Sequence, residues 1–307
     1  MASEQFATLR TLLDQEPSRE QWKSILITLE QCPDETLDEA LSLADERLSS
    51  WHDSWRTLAV HHKLFGDSPQ AARDLKAFPL LRSLSISSDD PAYLIEHKED
   101  CRHIRNLTAN WTLTPPHLEW LIHLPHLTGF DLRTDGQESI GGLRHLPQLT
   151  SLNLFGYNEI DDYDILPSLP ALKHLKLHDV GVYGLEGAHF SFPKLETLIT
   201  TNGLEPLTWI DIDTLESLKE FELDMDELAF FLEEDEVGTP EEGALDEYWA
   251  IHWELASGVP ELTFWVPIEE SSLQQKWRRK APPGVKVCFY KKGAFGQRIP
   301  LMTCPPK

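Results

Sequence analysis

Residues 146–154, Leu-Pro-Gln-Leu-Thr-Ser-Leu-Asn-Leu, decide the fold, because close variants of this nonapeptide recur along the chain. Upstream stand FPLLRSLSI (78–86) and LPHLTGFDL (124–132). Downstream stand LPALKHLKL (169–177), FPKLETLIT (192–200) and LESLKEFEL (215–223). The first strand leucine recurs at Leu81, Ile104, Leu127, Leu149, Leu172, Leu195 and Leu218, in steps of 22 or 23 residues. A last copy, VPELTFWV (259–266), places Leu262 two periods further on. A fixed period of this length marks stacked units, none of which buries its apolar face alone. In the half that reads x-x-L-x-L, alternate residues point to opposite faces, so leucines line one side and variable residues the other. The proline before each strand suits a compact 3₁₀ or extended return segment, because it cannot continue a helix. Eight such turns, with strands about 4.8 Å apart, make a parallel sheet on the order of 35 Å long.

This pattern resembles the leucine-rich repeat family, in the short bacterial or internalin-like length class, over about Phe78 to Val266. The resemblance implies an α/β solenoid, a leucine-rich repeat horseshoe with one parallel strand per repeat and a concave face that engages protein partners. The family places an asparagine just after the strand, where its amide bonds neighbouring turns. Here Asn110 fits, Asn158 and Asn202 are displaced by one residue, and Val180 takes the place in the fifth repeat. That spacing predicts an irregular asparagine ladder.

Outside the repeats the period changes. Residues 1–77 read as a helical N-terminal domain that caps the solenoid or binds a partner in its own right. Phe6, Leu9, Leu12 and Leu13 share one helical face, and Ser18-Arg19-Glu20-Gln21 is a capping box before Trp22, Ile25, Leu26 and Leu29. Pro33 and Asp34 open a third helix with Leu37, Ala40, Leu41, Ala44 and Leu48 as its stripe. Trp51, Trp55 and Leu58 suggest a fourth, and Ser68-Pro69 starts a short helix into the first repeat. The repeats run from 78 to 266, with the skipped period at about 224–257 reading as a helical insertion or as a degenerate repeat. Residues 267–307 form a small C-terminal cap, in which Ser272-Leu273-Gln274-Gln275 opens a short basic helix and Val285, Val287 and Phe289 alternate as a closing strand.

The chain of 307 residues carries 27 Lys and Arg against 51 Asp and Glu, a formal net charge of −24. That balance excludes a generic nucleic-acid binder, whose affinity comes from neutralising phosphates. Charge is segregated: residues 224–247 hold eleven acids and no Lys or Arg, while residues 271–307 hold nine Lys or Arg and no acid. The two stretches neutralise each other, or the basic cluster around Lys276, Arg278, Arg279 and Lys280 meets an anionic partner. The N-terminus has no basic stretch followed by a long apolar core, and no run approaches the roughly 18 apolar residues of a membrane helix. Four well-separated cysteines (Cys32, Cys101, Cys288, Cys304) form no CxxC pair and do not read as a disulfide framework or a zinc site. The expectation is a cytoplasmic protein with no membrane or nucleic-acid partner.

Catalytic motifs are missing: the sequence contains no GxSxG, P-loop, GxGxxG, HExxH or paired CxxC. His97, Cys101 and His103 lie between the first two strands without an apparent fourth metal ligand, and Gly181, Gly184 and Gly187 read as loop punctuation. Asp161 and Asp162 suit the cap of a short turn. No enzyme activity, cofactor or metal is expected. What remains is a surface. The outward strand columns hold Ser85, Thr108, Asp131, Asn153, Lys176, Ile199 and Glu222, then Ser87, Asn110, Arg133, Phe155, His178, Thr201 and Asp224. Asn110, Trp111, Asp131, Arg133, Asn153, Phe155, Tyr157, Lys176, His178 and Glu222 are therefore the candidate partner-binding residues, since exposed aromatics and arginine commonly anchor interfaces. Two functions fit: a non-enzymatic protein-interaction scaffold, or an acidic inhibitor or immunity-type protein that occludes a basic toxin or enzyme.

Overall fold

Proline at the second place of each Leu-Pro-x-Leu run has its φ already fixed and needs no hydrogen bond from its nitrogen, which suits the second residue of a tight turn. The computed structural model describes residues 2–59, 61–62, 70–86, 99–110, 120–135, 139–156, 162–178, 190–201, 210, 214–224, 263–266, 286–292 and 298–300. In it the N–H of the fourth turn residue donates to the carbonyl of the first: Leu81 to Phe78, Ile104 to Cys101, Leu127 to Leu124, Leu149 to Leu146, Leu172 to Leu169, Leu195 to Phe192 and Leu218 to Leu215. Both end residues of every one of these turns are buried. The turn thus sends two apolar side chains inward and starts a strand two residues later.

The chain divides into two compact units, residues 1–133 with 141–149, and residues 134–140 with 150–307. The first unit opens with three helices, α1 (Ala2–Leu13), α2 (Arg19–Glu30) and α3 (Asp34–Leu48). Ser18 caps α2 by accepting from the Gln21 N–H at 3.0 Å. Only half of a capping box forms, because the Gln21 side chain donates instead to the Leu12 carbonyl at the end of α1. Leu9, Ile25, Leu26, Leu29, Ala40, Ala44 and Leu48 are sealed between the helices and what they pack on.

The expected fourth helix is absent, and the N-terminal region is not all helical. Asp53–Trp55 makes one 3₁₀ turn, and β1 (Thr57–Ala59) follows. A short antiparallel pair, β2 (His61–His62) with β3 (Gln70–Ala71), comes next. Ser68 and Pro69 lie outside the described residues; the chain after them makes β3 and then a 3₁₀ turn, Ala72–Asp74, before the first repeat. The aromatic spacing at Trp51, Trp55 and Leu58 imitates a helix, but β4 (Ser83–Ile86) leaves an edge whose backbone groups need partners. β1 supplies them in parallel, with Thr57 opposite Ser83.

β5 (Asn106–Ala109) and β6 (Gly129–Arg133) extend this parallel ladder, with Ser83, Asn106 and Gly129 in register. Leu84, Leu107 and Phe130 form one buried column, and Ile86, Ala109 and Leu132 the next. A regular device starts each strand. The carbonyl of Arg56 accepts from the N–H groups of Arg82 and Ser83, that of Arg82 from Arg105 and Asn106, and that of Arg105 from Thr128 and Gly129. Arg56 also pins α3 to this edge. Its side chain, 4% exposed, reaches Asp45 at 2.7 Å and the Leu80 carbonyl at 2.7 Å, and the same Asp45 oxygen takes Arg82 at 3.0 Å.

The second unit repeats the plan. β7 (Ser151–Phe155), β8 (His174–His178), β9 (Thr197–Thr201), β10 (Glu220–Asp224), β11 (Thr263–Val266) and β12 (Lys286–Lys292) are parallel neighbours, and β13 (Arg298–Pro300) turns back antiparallel on β12. Leu152, Leu175 and Leu198 lie side by side in one buried column, as the period requires. From β7 to β10 each strand begins two residues after the last leucine of its turn, as at Leu172 and His174. β10 pairs directly with β11, so the skipped period adds no strand between them. The insertion itself, the expected helix at 245–256 and the basic helix after Ser272 lie outside the described residues. The expected closing strand exists as β12, and it continues the parallel ladder.

Thr200 stands where its neighbours in the column carry Leu154 and Leu177, and its hydroxyl is buried without a partner. An unsatisfied buried hydroxyl costs about 1–3 kcal/mol. Thr200→Val keeps the shape and removes the oxygen, so it should raise urea-unfolding stability by about 1 kcal/mol. A loss of stability would mean that the hydroxyl finds a donor.

Cysteine usage departs from the expectation at one position. Cys32 and Cys101 are free and buried, whereas Cys288 on β12 is buried and disulfide-bonded, to a partner outside the described residues.

Candidate functional site

Alternation along each strand separates the two faces. In the first unit the outward residues form three levels: Ser83, Asn106 and Gly129; then Ser85, Thr108 and Asp131; then Asn110 and Arg133. Hydrogen bonds run sideways across them. Asn106 Nδ2 donates to Ser83 Oγ, Thr108 Oγ1 to Asp131 Oδ2, and Asn110 Nδ2 to Ser85 Oγ, each at 3.2 Å. Gly129 leaves room for this weave, since a Cβ there would meet Asn106 Oδ1 and push the amide aside. Asn110 and Arg133 are exposed at the ends of their strands, and Asp131 is half-buried.

The second unit places Ser151, His174, Thr197 and Glu220 at the first level, Asn153, Lys176 and Ile199 at the second, and Phe155 and His178 at the third; Thr201, Glu222 and Asp224 continue the backbone register, and their side chains lie outside the described residues. Phe155 and His178 are direct neighbours, and both are half-buried. His174 Nδ1 lies 3.1 Å from Thr197 Oγ1. Asn153 Oδ1 is buried with no hydrogen-bond partner among the described residues. Gly156, just past β7, has φ +124°, and a Cβ there would meet the Asp135 carboxylate and lie 2.9 Å from the Asp135 backbone nitrogen, so both the conformation and the space suit glycine. Its carbonyl accepts from Thr134 Oγ1 at 2.9 Å, which fixes the exit from the Phe155 position.

Of the candidate residues, Asn110, Asp131 and Arg133 belong to the first unit, and Asn153, Phe155, Lys176, His178 and Glu222 to the second. Trp111 and Tyr157 lie outside the described residues, as does Asn158. The first level of each face was missed. The signal was present: the same two-residue alternation, continued one step upstream, picks out Asn106, His174 and Glu220.

A second lateral pattern occupies the turns and takes over the work expected of an asparagine ladder. The third turn residue reaches back to a carbonyl of the preceding turn. His103 does so to Phe78 and Gln148 to Leu124 in the first unit, and Lys194 to Pro170 and Ser217 to Pro193 in the second. Asp162 does not cap its own turn; its carboxylate accepts from Ser139 Oγ at 2.5 Å and the Ile140 N–H at 2.7 Å. At the strand entrances, Lys173 and Lys219 both bind Glu196, at 2.7 and 2.6 Å, and hold its carboxyl down to about 2.

The residues weighed for metal chemistry have other tasks. Cys101 opens a turn in the place that leucine fills elsewhere, and burial pushes its thiol up to about 12, away from the thiolate a metal needs. His103 lies edge-on to Phe78, its Nε2–H donating to the Phe78 carbonyl, and burial together with Arg82 lowers its basicity. His97 lies outside the described residues. Among the described residues no three His, Cys, Asp or Glu side chains gather into a metal-binding group, and no helix is long and apolar enough to cross a membrane.

One cleft opens in the first unit, about 620 Å³ in volume, where the ends of α1 and α3 meet. Asp14, Glu16 and Glu46 line it against a single cation, Arg47, which pairs with Asp14 at 3.4 Å, and Trp51 forms part of its wall.

No protein-family model matches this sequence, and no curated protein matches it. Among solved structures, it is similar to the crystal structure of a protein from Bacteroides fragilis, a structural-genomics target. The two are 18% identical, the match covers 69% of this chain and 67% of the other, and the TM-score is 0.40. That likeness says nothing about activity or partners.

Proposed function

We propose that this chain is a leucine-rich-repeat solenoid whose task is to bind another protein through the outward face of its strands, without catalysis. One observation carries the reading. On β4 to β9 the inward positions are buried in the core, while the outward positions change from repeat to repeat and bring Phe155, Lys176 and His178 together on β7 and β8. The fold needs only the first set. A rigid sheet that displays the second set binds a partner with little ordering cost. The pieces that make good anchors, an aromatic ring beside a lysine and a histidine, are central to that face.

The alternative is an acidic inhibitor of a basic toxin or enzyme. It is favoured by the net charge of −24 and by the cleft of Asp14, Glu16 and Glu46. The two readings separate in affinity purification followed by mass spectrometry, repeated at low and high salt. The scaffold reading expects recovered proteins whose binding persists as salt rises, because its anchors are desolvated contacts. A single basic protein whose association rate collapses with salt would replace it with the inhibitor reading.

A cytoplasmic setting belongs to the same proposal. The Cys288 disulfide opposes it, because bonded cysteines are characteristic of oxidising compartments. Alkylation of the protein at the moment of cell lysis decides the point: an alkylated Cys288 would keep the cytoplasm in the proposal, and a fully oxidised one would remove it.

A further inference from the structure

Two neighbouring polar side chains on the outward face of the second unit are left without bonds. Asn153 on β7 and Lys176 on β8 stand side by side in register, and both are half-buried. Asn153 Oδ1 is shielded from water and accepts no hydrogen bond, and Lys176 makes no hydrogen bond or ion pair, among the described residues. Elsewhere the lateral polar groups pair off. Asn106 binds Ser83, Thr108 binds Asp131 and Asn110 binds Ser85 in the first unit, and His174 meets Thr197 in the second. At the strand entrances Lys173 and Lys219 share Glu196. In a chain with 51 Asp and Glu against 27 Lys and Arg, a half-buried lysine without a carboxylate is an exception. Unmet polar groups in a folded protein call for a cause, and departures from the packing rules gather at functional sites.

We propose that this pair, flanked by Phe155 and Ile199, receives a segment of a partner protein in which one Asp or Glu stands between apolar residues. The pairing rests on the reading of this face as a binding surface and states what that surface selects. Lys176 takes the partner's carboxylate. Asn153 offers an oxygen and so takes an N–H. One acidic residue in an extended segment carries both groups, its side-chain carboxylate and its own main-chain N–H. Neighbouring strands set the two side chains about 4.8 Å apart at their roots, within the span of such a residue. The Asn153 amide turns about a soft terminal torsion, so its oxygen meets the N–H without a backbone shift. Phe155 lies two residues beyond Asn153 on β7, and Ile199 lies beside Lys176 on β9; both are half-buried. Apolar residues on either side of the acid cover them and keep water from the ion pair, which strengthens it.

The field of the whole chain narrows the choice. A net charge of −24 repels an acidic run at long range. At about 0.15 M salt the screening length is near 8 Å, so a lone carboxylate touching Lys176 feels the lysine far more than the distant acids. A basic segment would meet a like charge at contact and leave the lysine unpaired. The inhibitor reading, which needs a basic partner, gains nothing from this pair.

Selection from a phage-displayed library of random dodecapeptides, with the full chain as bait at about 0.15 M salt, tests the assignment. Enriched peptides should carry Asp or Glu between apolar residues. On Lys176→Glu the same position should switch to Lys or Arg, a reversal that misfolding cannot produce. A synthetic peptide from the wild-type selection, read by fluorescence polarisation, should lose about tenfold or more in affinity when its acid becomes Gln, and as much on Lys176→Met. Both changes together should cost little more than either alone, because they remove one contact. Asn153→Leu should weaken binding about tenfold while the urea-unfolding midpoint of the free chain stays level or rises, whereas an asparagine that only held the fold would lower it. Failure to enrich any peptide, enrichment of basic peptides on the wild-type chain, or binders indifferent to Lys176→Glu overturns the proposal. Binders that carry no acid yet lose affinity on Phe155→Ala would remove this specificity and leave the face as a binding surface. Binders indifferent to every outward substitution would count against both.

Discussion

Replacing Leu175 by alanine should cost about 2–5 kcal/mol in urea unfolding, the largest loss expected from any single leucine-to-alanine change in the second unit. Leu175 is 1% exposed and sits between Leu152 and Leu198 in register, so its removal leaves a cavity with packed side chains on both sides. In a stack each unit is held by its neighbours, so a central void weakens two interfaces at once. A loss under roughly 1 kcal/mol at Leu175 would place it outside the core and undo the register.

The second large effect is expected at Asp45. It is a surface residue of α3 by sequence, with no feature to single it out. In the structure one of its oxygens takes Arg56 at 2.7 Å and Arg82 at 3.0 Å, and these guanidinium side chains are only 4% and 14% exposed. Asp45→Ala leaves two nearly buried cations facing each other across the edge of the first unit. Stranding a buried charge costs about 3–5 kcal/mol; Asp45 itself stands half in water, which brings the expected loss to about 3 kcal/mol. Asp45→Asn keeps an acceptor oxygen and should lose about half as much. Thermal unfolding that leaves Asp45→Ala within 0.5 kcal/mol of wild type, roughly the range of an ordinary surface change, would show that water satisfies both arginines.

The stacked repeats were legible because one physical cause, burial of every second strand residue, writes the same leucine pattern seven times. The proline turn was legible for a related reason, as proline restricts its own backbone. Other features arise only from tertiary contact. β1 looks helical in isolation and becomes a strand because β4 offers an edge. The direct pairing of β10 with β11 across the insertion depends on where two ends of a long segment meet. The reach of His103, Gln148, Lys194 and Ser217 to preceding turns uses four different residue types for one purpose, which leaves no recurring letter to find. At the candidate site the outward columns were legible from alternation alone, while the bonds across them, Asn106 to Ser83 and Thr108 to Asp131, were not.

The division of labour along a strand is the claim on which the rest depends, and β8 isolates it within five consecutive residues, His174 to His178. Each position is changed to alanine in turn, and each variant is measured twice, for urea-unfolding stability and for affinity towards the recovered partner. Stability should fall by about 2–5 kcal/mol at Leu175 and Leu177 and stay within about 0.5 kcal/mol at His174, Lys176 and His178. Affinity should move in the opposite phase, with losses of about tenfold or more concentrated at Lys176 and His178. A scan in which affinity falls only where stability falls, with all three outward positions silent, would contradict the assignment of this face to binding.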